Sequence, residues 1–167
     1  METVEQPNEK RPTYLKVLVI LSTISIALSI LFTVYSIMAG PLTASELKAT
    51  QEAGLKAVNE FNEMQMTSLA DWYEHNMRME VYINANWYMQ HLLTFLVLLF
   101  GLFGVWKMYQ GQKQGFHFYI IYNILAAATI YISVPMSEVP SQDLILNLSF
   151  SFLFIWMYSR NLAYMNK

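Results

Sequence analysis

Val17 to Ala39 reads VLVILSTISIALSILFTVYSIMA, without a single charged side chain. A helix needs about 20 residues to cross a hydrocarbon core about 30 Å thick, and this run is long enough. It stops at Gly40-Pro41, a pair that ends helices. The apolar core of a signal peptide is about 7 to 15 residues, so an uncleaved anchor is expected here. Membrane insertion therefore governs how the rest of the chain is read.

Working outward from that run, three more apolar stretches follow. The second covers about Trp87 to Trp106, with Trp87, Tyr88, Trp106 and Tyr109 placed where interfacial aromatic belts belong. The third ends before Pro135, and the fourth runs to about Tyr164, with Arg160 close enough to its end to snorkel into the headgroups. Asn123, Asn147, Ser149 and Ser151 dilute these last two. The expected fold is an all-α integral membrane protein with four transmembrane helices and an amphipathic outer helical segment between the first and second. Its divisions are a tail over 1–14, span one over 15–40, the outer segment over 41–86 and span two over 87–107. A loop over 108–115, span three over 116–135, an outer loop over 136–143, span four over 144–164 and an end over 165–167 complete it.

Composition agrees. The 167 residues are 55% hydrophobic, 15% aromatic and 13% charged, where a soluble domain carries about 25% charged residues. Mean hydropathy is +0.31. A net charge of −2 with scattered basic residues offers nothing to neutralise phosphates, so nucleic acid is not the expected partner. The absence of cysteine removes disulfides, thiolate nucleophiles and Cys-ligated metals.

Basic residues orient the chain. Lys10, Arg11, Lys16, Lys107, Lys113, Arg160 and Lys167 fall on one side, against Lys48, Lys56 and Arg78 on the other. By the positive-inside rule both termini are cytoplasmic and the long segment faces outward, as in a bacterial inner membrane. That segment sets seven acidic residues, Glu46, Glu52, Glu60, Glu63, Asp71, Glu74 and Glu80, against its three basic ones.

Thr43-Ala-Ser-Glu46 reads as a capping box that opens a helix. Beyond it the charged residues share one stripe, while Leu47, Leu55, Val58, Phe61, Met66, Leu69, Trp72 and Tyr73 fall on the opposite one. The stripe keeps its phase to about Tyr82, though Ser68-Leu-Ala-Asp71 could cap a second helix. Something must cover the apolar face. Lipid fits least, because interfacial helices carry Lys and Arg on the polar face and this one is acidic. The segment itself, another membrane protein or a second copy are the covers left, with Phe61, Leu69, Trp72 and Tyr73 as contact residues.

Within the spans, Ser22, Ser25, Ser29, Thr33 and Ser36 line one side of the first, and Gly101 and Gly104 one side of the second. Small and hydroxyl residues let helices approach closely in lipid, so both read as packing seams facing each other or a partner. A transport path is the rival reading. Against it, no Asp, Glu or Lys sits deep in any span.

Catalytic motifs are missing: no HExxH, phosphate loop or nucleophile turn occurs, and Asp71-x-x-Glu74-His75 reads as a solvated face. No enzyme and no cofactor is expected. His91 and His117 belong to opposite ends of their spans, which excludes a haem held between them. The one metal reading is outward-facing Cu(I), since thioether and imidazole donors suit it. Met64-Gln-Met66 and Met77-Arg-Met79 point about 200° apart on a helix, so only His75 and Met79, four residues apart, share a face. The expected role is an accessory or structural subunit, with a small-solute transporter component or a Cu(I) sensor as alternatives.

Overall fold

The computed structural model describes residues 13–165. Lys10, Arg11 and Lys167, used above to orient the chain, lie outside the described residues, as does most of the expected tail. The described residues form six helices and no strand: α1 Thr13–Ala39, α2 Ala44–Glu63, α3 Thr67–Ala85, α4 Trp87–Tyr109, α5 Gln114–Ser133 and α6 Ser141–Ser159.

Three of these, α1, α4 and α5, are long and apolar enough to cross a membrane. Their outward surfaces agree, with Leu31, Phe32, Leu92, Leu96 and Ile124 all exposed. A soluble monomer does not show so continuous an apolar surface. The fourth expected span is α6, which begins at Ser141 rather than at Leu144 and ends at Ser159. Its first turn is the polar Ser141-Gln142-Asp143, so its apolar run is shorter than those of the other three. The chain does not continue as helix to Tyr164. Asn161 donates from Nδ2 to the Met157 carbonyl at 2.9 Å, a short 3-10 turn over Leu162–Tyr164 follows, and Met165 is folded into the core.

α4 is the centre of the bundle, with α1 packed on one side and α5 on the other, while α6 lies against α5. The core joins Leu15, Leu18, Val105, Met108, Tyr119 and Tyr158 near the end of the bundle remote from α2 and α3. The α4–α5 turn is tight because Gly111, at φ 81°, supplies a left-handed residue. Gly111 N–H donates to Met108 O at 2.9 Å and Gln112 N–H to Lys107 O at 3.0 Å, the two bonds of a Schellman cap. α5 is interrupted at Thr129, whose Oγ1 donates to the Ala126 carbonyl at 2.9 Å, and it ends where Val134 becomes extended before Pro135.

The segment between α1 and α4 is a helical hairpin, which settles whether one helix or two fill it. The capping box forms as read: Thr43 N–H donates to Glu46 Oε2 at 2.8 Å, and Glu46 N–H donates to Thr43 Oγ1 at 3.3 Å. The Thr43 hydroxyl, which donates to Glu46 Oε2 at 2.7 Å, and then the Thr43 N–H hold the Glu46 carboxyl below its ordinary value. The break falls at Met64–Met66, ahead of Ser68, and α3 begins without a side-chain cap. Met66 N–H donates to Phe61 O at 2.8 Å and Gln65 N–H to Asn62 O at 3.0 Å, a second Schellman cap. Its left-handed residue is Gln65, at φ 60°. A non-glycine residue there costs about 1–2 kcal/mol.

Candidate interaction surface

The two hairpin helices bury part of their apolar stripes on each other. Val58 and Ala70 pack with Met77, Phe61 and Tyr73. Gly54 lets α3 come close, since a Cβ there would collide with the Met77 side chain and sit 3.5 Å from the Tyr73 ring. Phe61 and Tyr73 meet edge to face at 5.9 Å. Of the four residues expected to dock a partner, Phe61 and Tyr73 are thus engaged inside the hairpin, Trp72 turns to the bundle, and Leu69 stays exposed. Met64 and Met66 at the tip and Leu55 on α2 are exposed as well.

Three polar clasps fasten the hairpin across one end of the bundle. Asn84 makes a two-point amide contact with Leu42: the Leu42 N–H donates to Oδ1 at 2.7 Å, and Nδ2 donates to the Leu42 carbonyl at 3.1 Å. Arg78 Nε donates to Glu138 Oε2 at 2.8 Å, and its Nη1 donates to Glu74 Oε1 at 2.6 Å. The Glu138 carboxylate holds the Arg78 guanidinium above its ordinary value. Trp72 Nε1 donates to Asp143 Oδ1 at 2.7 Å. Going back along α3 from α4, these contacts visit the α1–α2 turn, the loop before α6, and then the start of α6. The helix therefore lies across the helix ends rather than standing away from them. At 1.5 Å per residue, Met66 overhangs about 9 Å beyond the Trp72 clasp.

The sequence signals for these clasps were weak. Glu138 and Asp143 sit in a short Pro-bounded loop and a first helical turn, and Asn84 near a helix end, all ordinary places for polar residues. Pairing across 42, 60 and 71 positions carries no local signature.

The two seams do not face each other. Gly101 and Gly104 both turn to α5: a Cβ at Gly101 would lie 2.5 Å from Tyr122 Cδ2, and one at Gly104 would lie 3.0 Å from Tyr119 N and 3.2 Å from Gly115 O. The physical reason is the tight α4–α5 turn, which brings those helices together first. On α1, Ser22 and Thr33 are buried, Ser29 and Ser36 half-buried, and Ser25 exposed. Tyr158 Oη donates to Ser22 Oγ at 2.9 Å, and Trp87 Nε1 donates to the Ser36 carbonyl at 3.2 Å. Ser29 and Thr33 donate to the Ser25 and Ser29 carbonyls of their own helix at 3.0 and 2.8 Å.

His75 and Met79 share a face of α3, as their spacing requires, but His75 Nδ1 lies 2.9 Å from the Asp71 carbonyl. Among the described residues no group of three His, Cys, Asp or Glu side chains gathers to hold a metal. His91, stacked on Trp87 at 4.0 Å, and His117 lie in the opening turns of α4 and α5, at opposite ends of that helix pair. An open cavity of about 460 Å³ lies between the hairpin and α4, with Tyr73, Glu80, Trp87 and His91 in its walls. At the far end, Lys107 sits over the Phe103 ring at 5.4 Å and Arg160 over Trp156 at 5.2 Å, so both cations lie beside aromatic rings. Comparison with known proteins gives no match to a family model, a curated protein or a solved structure.

Proposed function

We propose that this chain is a non-enzymatic accessory or structural subunit of a membrane complex, with α6 as the fourth span and the hairpin facing outward from a bacterial inner membrane. The bilayer is its first partner and a neighbouring membrane protein its second. The observation that carries this reading is the clasped hairpin. A helix pair fixed across the bundle end presents Met64, Met66 and Leu69 beyond α6, at a tip that needs no ordering when a partner arrives. Phe61, Trp72 and Tyr73 then act by holding the hairpin in shape, and Leu69 with the two tip methionines makes the contact. The aromatic and basic residues at the opposite end, Trp106, Lys107, Trp156 and Arg160, suit the cytoplasmic interface.

Two expected results test this. With both termini cytoplasmic, an impermeant thiol reagent labels Ser45→Cys in intact cells and Gln112→Cys only after permeabilisation; the reverse pattern overturns the orientation. The chain's freedom from native cysteine makes the labelling specific. For docking, Met66→Asp with Leu69→Asp removes co-purifying proteins from a mild-detergent pull-down by at least tenfold while the protein stays monodisperse. Unchanged co-purification and an unchanged oligomeric state would sink the tip as a contact.

A further inference from the structure

Halfway along the helices, α1, α5 and α6 enclose a cleft of about 290 Å³ whose walls carry Ser25, Tyr122, Asn123, Asn147 and Ser151, with the buried Ile26 and the exposed Phe150 also lining it. Ser25 is near the middle of Thr13–Ala39, Asn123 near the middle of Gln114–Ser133, and Ser151 near the middle of Ser141–Ser159. The polar groups thus lie at the depth where lipid offers no hydrogen bonds. Among the described residues, the side chains of Ser25, Tyr122, Asn147 and Ser151 have no hydrogen-bond partner. Asn123 Nδ2 donates one N–H to the Tyr119 carbonyl at 2.7 Å, and its Oδ1 remains an acceptor. An unpaired amide or hydroxyl in hydrocarbon is costly, so one amide and three hydroxyls converging on one space call for a ligand that supplies their partners.

The chemistry of the lining narrows that ligand. Hydroxyls and carboxamides are present, and no acid or base lines the space, so a charged head would be desolvated without a counter-charge. Shape adds a second restriction. The cleft is near the lower end of the size of a small-molecule pocket, room for a head but not for a whole lipid. Ser25, Asn147 and Phe150 are exposed at its mouth, so it opens sideways to lipid between α1 and α6. The Tyr158–Ser22 bond closes one end, and toward the hairpin Asn147 also borders a cavity of about 200 Å³ beneath Met79 and Asp143. We infer that this cleft binds the head of a neutral lipid-soluble molecule bearing carbonyl or hydroxyl groups, with its aliphatic chain leaving between α1 and α6. The inference rests on α6 as the fourth span.

The test uses the full chain in phosphatidylcholine nanodiscs, with dioctanoylglycerol and decylbenzoquinone as neutral probes and decanoate as the charged control. At least one neutral probe binds saturably, Asn147→Leu with Ser25→Ala weakens it tenfold or more, and decanoate does not compete. Ser149→Leu, on the other side of α6, keeps binding and shows that the helix tolerates leucine. Non-saturating partition of both neutral probes, equal binding by the double variant, or equal competition by decanoate overturns the proposal. So does loss of an oligomer in Asn147→Leu without any saturable probe binding, which would assign the cleft to a neighbouring helix. Phe152→Cys in the same nanodiscs separates the two readings: labelling by a water-soluble thiol reagent sinks α6 as a span, whereas protection without probe binding sinks the ligand alone.

Discussion

Replacing Gly115 by leucine is expected to abolish recovery of folded protein. A Cβ at that position would collide with the Met108 backbone nitrogen and come within 2.6 Å of the Gly104 carbonyl oxygen. Those are main-chain atoms, which cannot rotate aside, so α4 and α5 must separate. Separation loses the contact that organises the bundle, because α4 is the helix on which both α1 and α5 pack. Overpacking a tight core costs about 1–3 kcal/mol and more when backbone is displaced, so a loss of about 3 kcal/mol or greater is expected. Gly101→Ala is the control. The three atoms nearest its new Cβ all belong to the Tyr122 side chain, at 2.5 to 2.8 Å, and that side chain can shift about its Cα–Cβ bond as main-chain atoms cannot. Detergent-exclusion chromatography of a fluorescent fusion reads both variants: Gly115→Leu gives aggregate, Gly101→Ala a monodisperse peak of reduced melting temperature. A monodisperse Gly115→Leu with an unchanged melting temperature would mean that the helices do not approach as closely as described.

How much of this could be read beforehand depends on whether the signal was local. The uncharged run Val17–Ala39, the Thr43–Glu46 capping box and the Pro135 stop each act on their own neighbours, and each is where the sequence placed it. Gly101 and Gly104 were legible as a seam, but the identity of the facing helix depends on the Gly111 turn rather than on the glycines. The hairpin break was harder. Met64-Gln65-Met66 contains no glycine or proline, and a left-handed glutamine leaves no trace in a propensity reading. Ser68 resembles a cap, yet it lies inside α3. The hydrophobic pattern runs past the end of α6 for a related reason. Apolar Leu162, Ala163 and Met165 extend the hydrophobic pattern, while Asn161 turns the chain and sends Met165 into the core.

The clasps are the least legible feature and yield the second large effect. Trp72→Phe combined with Arg78→Met is expected to free α3 from the bundle end while leaving α1, α4 and α5 assembled. The phenylalanine keeps the ring and removes the 2.7 Å bond to Asp143; the methionine keeps the aliphatic stem and removes the 2.8 Å bond to Glu138. A hydrogen bond to a charged group contributes about 1.5–3 kcal/mol when partly buried, and the Arg78 pair adds less, being more open to solvent. Together about 2–4 kcal/mol of docking energy is removed, which corresponds to a fall in amide-exchange protection of about thirtyfold or more along α3. Protection in α4 should not change, because its packing on α1 and α5 is untouched. The single variants separate the contributions, and since the two sites join different elements to the same helix, their effects should exceed additivity once both are gone. The internal hairpin contacts of Val58, Ala70 and Met77 do not depend on the clasps. α2 and α3 should therefore swing as a pair about Asn86 and the Gly40–Pro41 turn, with the Asn84–Leu42 amide contact as the remaining tether. If α3 protection in the double variant equals that of the native chain, apolar contact beneath Trp72 and Met79 holds the hairpin. The partner-facing tip would then owe its position to packing, not to the polar bonds.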